Sequence, residues 1–343
     1  MLGNSLNAFR AVRLNHIECL MKMNQNDLEE SDNYGQRPLH IACKLGNLQC
    51  VDYIIRKAPN TADLVSHYGE NPLLVAIAMG KEKCVQRLLQ GNYKKALTRA
   101  LHRDLNGTSS LMAAVARNDN DLAFWLLKRF GKTLAICPNN YKMLPLHLAA
   151  SRGNIEFIRI VTKYDNRMTN EKDIFGLTPV FYATQGGHLE CLQYLVEKCR
   201  ADISLVTQKG QSLLQIACLG GHLNIVQWLL RRSSPTAVLW TTKDNVNSLH
   251  CAAYQGNVEI LKLLLNNFPK RNRREALHIR DFYGNTPLHL SALKNNIEAV
   301  QYLVMMNYWK KEWLPLLSTT ASYCTAWNLR IMQQTPSFGS LFQ

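Results

Sequence analysis

The sequence predicts a mostly α fold, a solenoid of stacked helix-turn-helix units with short hairpin fingers between them. One eleven-residue motif recurs in register along most of the chain. Small residues and glycines fall at the same places in each copy, and an apolar helical stretch follows every copy. The 343 residues would accommodate two ordinary domains or one long array. A hydrophobic share of 47% with 19% charged residues argues for a folded chain rather than a disordered one.

Eight segments carry the motif. They are RPLHIACKLGN from Arg37, NPLLVAIAMGK from Asn71, SSLMAAVARND from Ser109 and LPLHLAASRGN from Leu144. TPVFYATQGGH from Thr178, SLLQIACLGGH from Ser212, NSLHCAAYQGN from Asn247 and TPLHLSALKNN from Thr286 complete the series. Their first residues are spaced by 34, 38, 35, 34, 34, 35 and 39 positions. In TPLH, from Thr286 to His289, threonine is suited to cap a helix and proline to its opening turn. Ala42, Ala76, Ala114, Ala149, Ala183, Ala217, Ala252 and Ser291 are small enough to let neighbouring helices approach closely. Glycine at 46, 80, 153, 187, 221 and 256 is expected to end the helix at positive φ, with Asn118 and Asn295 replacing it in two copies. A second helix follows, as in HLECLQYLVEK from His188 and HLNIVQWLLRR from His222.

A period of about 33 residues with T-P-L-H-x-A-A and a later G-H is the ankyrin signature. From about Asp32 to Met306 the sequence resembles the ankyrin-repeat family. The resemblance implies a β-hairpin finger between units and histidine hydrogen bonds between repeats through His40, His147, His250 and His289. It also implies a partner-binding concave groove of finger tips and first helices. The expected layout is N-terminal capping helices over 1–31, about eight repeats over 32–307, and a non-repeat tail over 308–343. That tail carries Trp309, Trp313 and Trp327. It either folds back on the last repeat or is a disordered, alternative or truncated end, and the second reading is favoured. Leu288, in the motif of the last repeat, is expected to be buried.

Enzyme chemistry finds no support. HExxH, GxSxG and a glycine-rich nucleotide loop are missing, and Gly131-Lys132-Thr133 has Leu126 where a phosphate loop needs its first glycine. Ten cysteines without a CxxC or zinc-finger spacing read as reduced thiols, with Cys50, Cys84 and Cys191 in apolar helical runs. No metal or cofactor is expected. Arg10 and Arg13, with no acid before Glu18, fit a first capping helix better than a mitochondrial presequence. No apolar run is long enough to span a membrane. These features place the chain in the cytoplasm, with the nucleus and the cytoskeleton as alternatives.

Binding is the expected activity. The residue before the finger glycine position is Tyr34, Tyr68, Asn106, Tyr141, Phe175, Lys209, Asp244 and Tyr283. Aromatics at five of eight turns exceed what a turn needs. Variable positions of the first helices hold Leu148, Tyr182, Ile216, Leu219, Tyr254, Leu290 and Leu293. Together these predict an apolar strip for a peptide or an amphipathic helix, with inter-finger packing as the competing explanation. The two longest intervals contain KKALTRALHR from Lys94 and PKRNRREALHIR from Pro269. They read as basic loops, with Lys94, Lys95, Arg99 and Arg103 in one and Lys270, Arg271, Arg273 and Arg274 in the other. With a net charge of +15 they invite an acidic partner, anionic lipid or nuclear import; the lack of an interleaved aromatic platform argues against nucleic acid.

The stretches LPLHLAASRGNIEFIRI and GLTPVFYATQGGHLECLQYLVEKCRADIS are similar to the N-terminal ankyrin array of espin-type actin-bundle scaffolds, which implies a cytoskeletal adaptor. Two alternatives stay open: a substrate-recognition subunit of a ubiquitin ligase, and a detached regulatory segment of a larger channel or enzyme.

Overall fold

Proline opens five of the first helices, because a residue without an N–H loses nothing there and its φ is already helical. These are Pro38–Leu45, Pro72–Ala78, Pro145–Arg152, Pro179–Gln185 and Pro287–Leu293. Ser110–Ala116, Leu213–Leu219 and Ser248–Gln255 complete the set, in a computed structural model that describes residues 7–307 except 270 and 271. Asn71, Ser109, Ser212, Asn247 and Thr286 each accept a backbone N–H at the N-cap, satisfying a donor the helix cannot satisfy itself. The small sixth-position residues, Ala42 through Ser291, are all fully buried. Anything larger there would force neighbouring helices apart.

The third motif position supplies the main apolar anchor. Leu39, Leu73, Leu111, Leu146, Val180, Leu214 and Leu249 are buried, each stabilising the stack by roughly 1.5–3 kcal/mol. Leu288 departs from the expectation and is only half-buried. It belongs to the last repeat, and no further first helix follows among the described residues to cover it.

Each first helix ends as its sequence requires. Gly46, Gly153 and Gly256 sit in the left-handed region, and Asn118 and Asn295 adopt φ of 59° and 56° in its place elsewhere. The next repeat then reaches back to the exposed carbonyls. Arg117 Nη1 donates to Ala78 O at 2.7 Å, His222 Nε2 to Gln185 O at 3.0 Å, and Asn296 Nδ2 to Tyr254 O at 2.9 Å. A polar or cationic donor from the neighbour therefore completes the C-terminus of the helix before it.

The fingers correct the expected β-hairpins: among the described residues no strand forms. Each finger is a tight turn closed on itself, as where Asp32 N donates to Gln36 O and Gly35 N to Asp32 O, both at 2.9 Å. Successive fingers meet through one backbone bond, too few for a ladder. Tyr34 O accepts from His67 N at 2.9 Å, Tyr68 O from Leu105 N at 3.1 Å, Asn106 O from Asn140 N at 3.2 Å and Tyr141 O from Ile174 N at 3.0 Å. Farther along, Phe175 O accepts from Gln208 N at 3.1 Å, Lys209 O from Lys243 N at 3.2 Å and Asp244 O from Phe282 N at 2.9 Å. Gly107 shows why glycine follows the tip: its φ is +80°, and a Cβ there would lie 2.4 Å from Asn140 N.

Three short helices, Ala8–Arg13, Ile17–Met21 and Gln25–Glu29, precede the first motif. The first packs on Pro38–Leu45 and the second on Leu48–Lys57, and Asn47 Nδ2 donates to Val12 O at 2.7 Å in the same reach-back used between repeats. The tail over 308–343, with its tryptophans, lies outside the described residues, as do Lys270 and Arg271. The chain divides into two compact units, Met1–Ile174 and Phe175–Gln343, where the sequence reads as one array.

Candidate functional site

In the Met1–Ile174 unit, each finger is anchored at its base by a side chain that bonds two of its own amides. Asp32 Oδ1 accepts from Tyr34 N and Gln36 N, Asp104 Oδ1 from Asn106 N and Thr108 N, and Asn139 Oδ1 from Tyr141 N and Met143 N. Ser66 Oγ does the same for Tyr68 N and Glu70 N. The finger backbone is thus consumed by its base and its neighbours, while the tip side chains point outward. Tyr34 is 59% exposed, Tyr68 56% and Tyr141 47%. Sequence reading passed over the third tip, because its apolar residue sits one place earlier. Leu105, next to Asn106, is 66% exposed. The signal that would have found it is the pair of central turn residues taken together rather than the one before glycine. Leu148, on the first helix of the fourth repeat, is half-buried.

In the Phe175–Gln343 unit, Phe175 and Tyr283 are exposed, and Phe282, also missed, is 77% exposed. Phe282 and Tyr283 pack edge to face with ring centroids 5.4 Å apart. Tyr182, Ile216, Leu219, Tyr254 and Leu293 are half-buried, and Lys294 Nζ stands 4.4 Å from the Tyr254 ring centroid. Leu290 corrects the expectation: at 3% exposed it is a packing residue of the last first helix, with no surface to offer a partner.

The basic loops are also corrected. Both long intervals fold into additional helices, Tyr93–Leu101 and Arg273–His278, where other connectors carry only the single turns Pro59–Asp63, Asn166–Asn170 and Pro235–Leu239 or the short helix Lys132–Ala135. Arg99 is structural, forked onto Asp63 Oδ1 at 2.6 Å and Oδ2 at 3.2 Å while Nη1 donates to Leu88 O at 2.9 Å. Arg103 donates to Pro138 O, and Arg273 to Phe268 O and Asn266 O. Lys94, Lys95, Arg103 and Arg274 are exposed, and of these Arg103 alone has its side chain bonded, to Pro138 O.

Three of the four motif histidines link repeats, while His289, in the last repeat, bonds Thr286 of its own motif. Arg37 N donates to His40 Nδ1 at 3.0 Å, so the ring proton is on Nε2, which donates to Glu70 O at 3.1 Å. His147 makes the same pair with Leu144 N and Glu171 O, and His250 with Asn247 N and Asn285 O. Burial lowers the His40 pKa to about 4 and also lowers that of His250, so both rings stay neutral. Cys50, Cys84 and Cys191 are buried; burial raises the Cys43 thiol and takes that of Cys251 to about 12, leaving them unreactive packing groups. Among the described residues no His/Cys/Asp/Glu group has the makings of a metal site, and no helix is long and apolar enough to cross a membrane.

Comparison with known proteins finds a family model described as ankyrin repeats (3 copies) matching residues 8–99, 146–238 and 234–312. The first stretch begins inside the segment expected to be only a cap. The chain is 27% identical over 204 residues to the probable 26S proteasome regulatory subunit p28 of Saccharomyces cerevisiae, covering 58% of this chain and 70% of that one. It is 25% identical over 166 residues to the human transient receptor potential cation channel subfamily A member 1, covering 48% of this chain and 14% of the channel. It is 30% identical over 221 residues to the NF-kappa-B inhibitor cactus of Drosophila melanogaster, covering 55% of this chain and 43% of that protein. These relatives share the repeat and differ in everything their names describe.

Proposed function

Because the chain belongs to the ankyrin-repeat family, whose repeats are protein–protein interaction modules, we propose that it is a non-enzymatic scaffold or adaptor. Its finger tips and first helices hold a partner peptide or helix. The observation that carries this reading is the outward row Tyr34, Tyr68, Leu105 and Tyr141 within one unit, on fingers whose amides are largely engaged by their own base and the neighbouring finger. Exposed tyrosines on a rigid backbone lose little freedom on binding and make effective anchors. Within the Phe175–Gln343 unit, the half-buried Tyr182, Ile216, Leu219, Tyr254 and Leu293 would supply apolar surface of its own. A cytoplasmic or nuclear location agrees loosely with the yeast relative. The cytoskeletal placement rests on the espin-like strings alone, and the relatives described above give it no support.

The test is the Tyr34→Ala/Tyr68→Ala/Tyr141→Ala variant of the full chain. Each change removes an exposed ring, so the melting transition should stay close to the parent's, within about 0.5 kcal/mol per site. Partners captured by the parent after cross-linking should be lost, since anchor rings are worth about 1–2 kcal/mol or more each. An unchanged partner set in the folded variant would remove the tips from the binding surface.

A second reading is favoured by the 70% coverage of the proteasome subunit: attachment to the proteasome. Co-sedimentation of the chain with intact proteasomes would support it, and free sedimentation would dismiss it.

A further inference from the structure

We infer that the basic connector edge of the Met1–Ile174 unit docks on an anionic lipid surface. Three segments meet there. Tyr93, at the start of the Tyr93–Leu101 helix, packs on Phe130 with ring centroids 5.8 Å apart. That brings Lys94 and Lys95 alongside the end of the Asn120–Phe130 helix, where Lys128 and Arg129 lie. Arg129 Nη2 donates to Leu89 O at 2.8 Å, tying this end to the connector before Tyr93. The short helix Lys132–Ala135 follows directly, and Lys132 Nζ reaches Asp165 Oδ2 at 2.9 Å, an oxygen shared with Arg167 Nη2 at 3.0 Å. Lys94, Lys95, Lys128 and Arg129 thus stand on segments tied to one another here, and Lys132 and Arg167 follow, both paired with Asp165.

Local folding does not account for this concentration. Basic residues at the end of Asn120–Phe130 suit the negative end of its helix dipole. Lys94 and Lys95 do the opposite, standing in the first turn of a helix that has no acid there. Both are exposed and neither braces another element, in contrast to Arg99 and Arg103.

Apolar residues decide between lipid and other polyanions. Tyr93 and Ile136, the latter at the end of Lys132–Ala135, are exposed among the cations. Lysines flanking an exposed aromatic and an aliphatic side chain match an interface of anionic headgroups over acyl chains. Such an edge would hold the scaffold at a membrane.

The test is sedimentation of the full chain with phosphatidylcholine vesicles, with and without about one-third phosphatidylserine or a few per cent phosphatidylinositol bisphosphate. The expected result is retention on the anionic vesicles only, weakening as salt rises. Lys94→Glu/Lys95→Glu should reduce binding at least about tenfold, and acids in a first turn favour the helix, so this variant keeps its fold. Lys22→Glu/Lys83→Glu, an equal reversal away from this edge, should bind like the parent. Tyr93→Ser should weaken binding and leave the salt dependence unaltered. Equal retention on neutral vesicles, or undiminished binding by Lys94→Glu/Lys95→Glu, overturns the inference. So does capture by polyglutamate at salt concentrations that release the vesicles, which would assign the edge to an acidic protein.

Discussion

At the fourth motif position, apolar in three repeats as Leu74, Met112 and Phe181, a buried polar side chain accepts one backbone N–H and donates to one carbonyl toward the following finger, and two residue types here do so. His40 does so with a neutral ring. Gln215 does so with its amide: Ser212 N donates to Oε1 at 2.8 Å, and Nε2 donates to Val246 O at 2.9 Å. The two differ in their response to acid. The His40 pKa is about 4 in the fold against an unfolded value near 6.5, so folding favours the neutral ring. Its contribution is fully present above pH 6.5 and is lost as pH falls through 6.5 toward 4, by up to about 3 kcal/mol. His40→Gln should fold, keep both bonds and flatten the acid loss of unfolding free energy measured across that window. An unchanged slope would mean that His40 is not a titrating support. At this scale the motif was legible: small residues, caps and histidines stand where the repeat requires them. Leu288 and Leu290 were not, since their burial depends on what surrounds the last repeat rather than on their place in the motif.

Fingers depend on backbone conformation more than on side-chain identity. Six of them use glycine in the left-handed region, and two use Lys142 and Asn245 at φ of 59° and 58°. Gly107→Ala should be costly, because it combines an unfavourable φ with a clash against Asn140 N; about 1–3 kcal/mol is expected in a denaturant melt. Lys142→Gly should be stabilising by up to about 1 kcal/mol, since lysine is held there against its own preference. If both changes were neutral, the fingers would be looser than their bonds indicate. The sequence announced the fingers through these glycines, and family resemblance suggested hairpin strands. One bond per neighbour makes turns instead, a distinction no residue pattern marks. Basic composition hid two helices in the same way. KKALTRAL has good helix formers and an Asn92 cap, yet its run of cations reads first as a solvated loop.

In a stacked array each repeat depends on its neighbours, so protection should be graded. Amide exchange should be slowest in interior first helices such as Pro72–Ala78 and Leu213–Leu219. It should be fastest in Ile17–Met21 and Gln25–Glu29, each five residues long. Uniform protection would mean that each unit opens as one block. The division at Ile174 and Phe175 was invisible in the sequence, because the motif and its spacing are the same on both sides. The finger bonds have one more consequence, for evolutionary change. Neighbouring fingers recognise each other through backbone carbonyls and amides, with Asn140 Nδ2 adding a bond to Leu105 O, so substitutions of the side chains at Tyr34, Tyr68, Leu105 and Tyr141 leave that recognition untouched. Lineages can exchange one partner for another through these four side chains while inheriting the same scaffold.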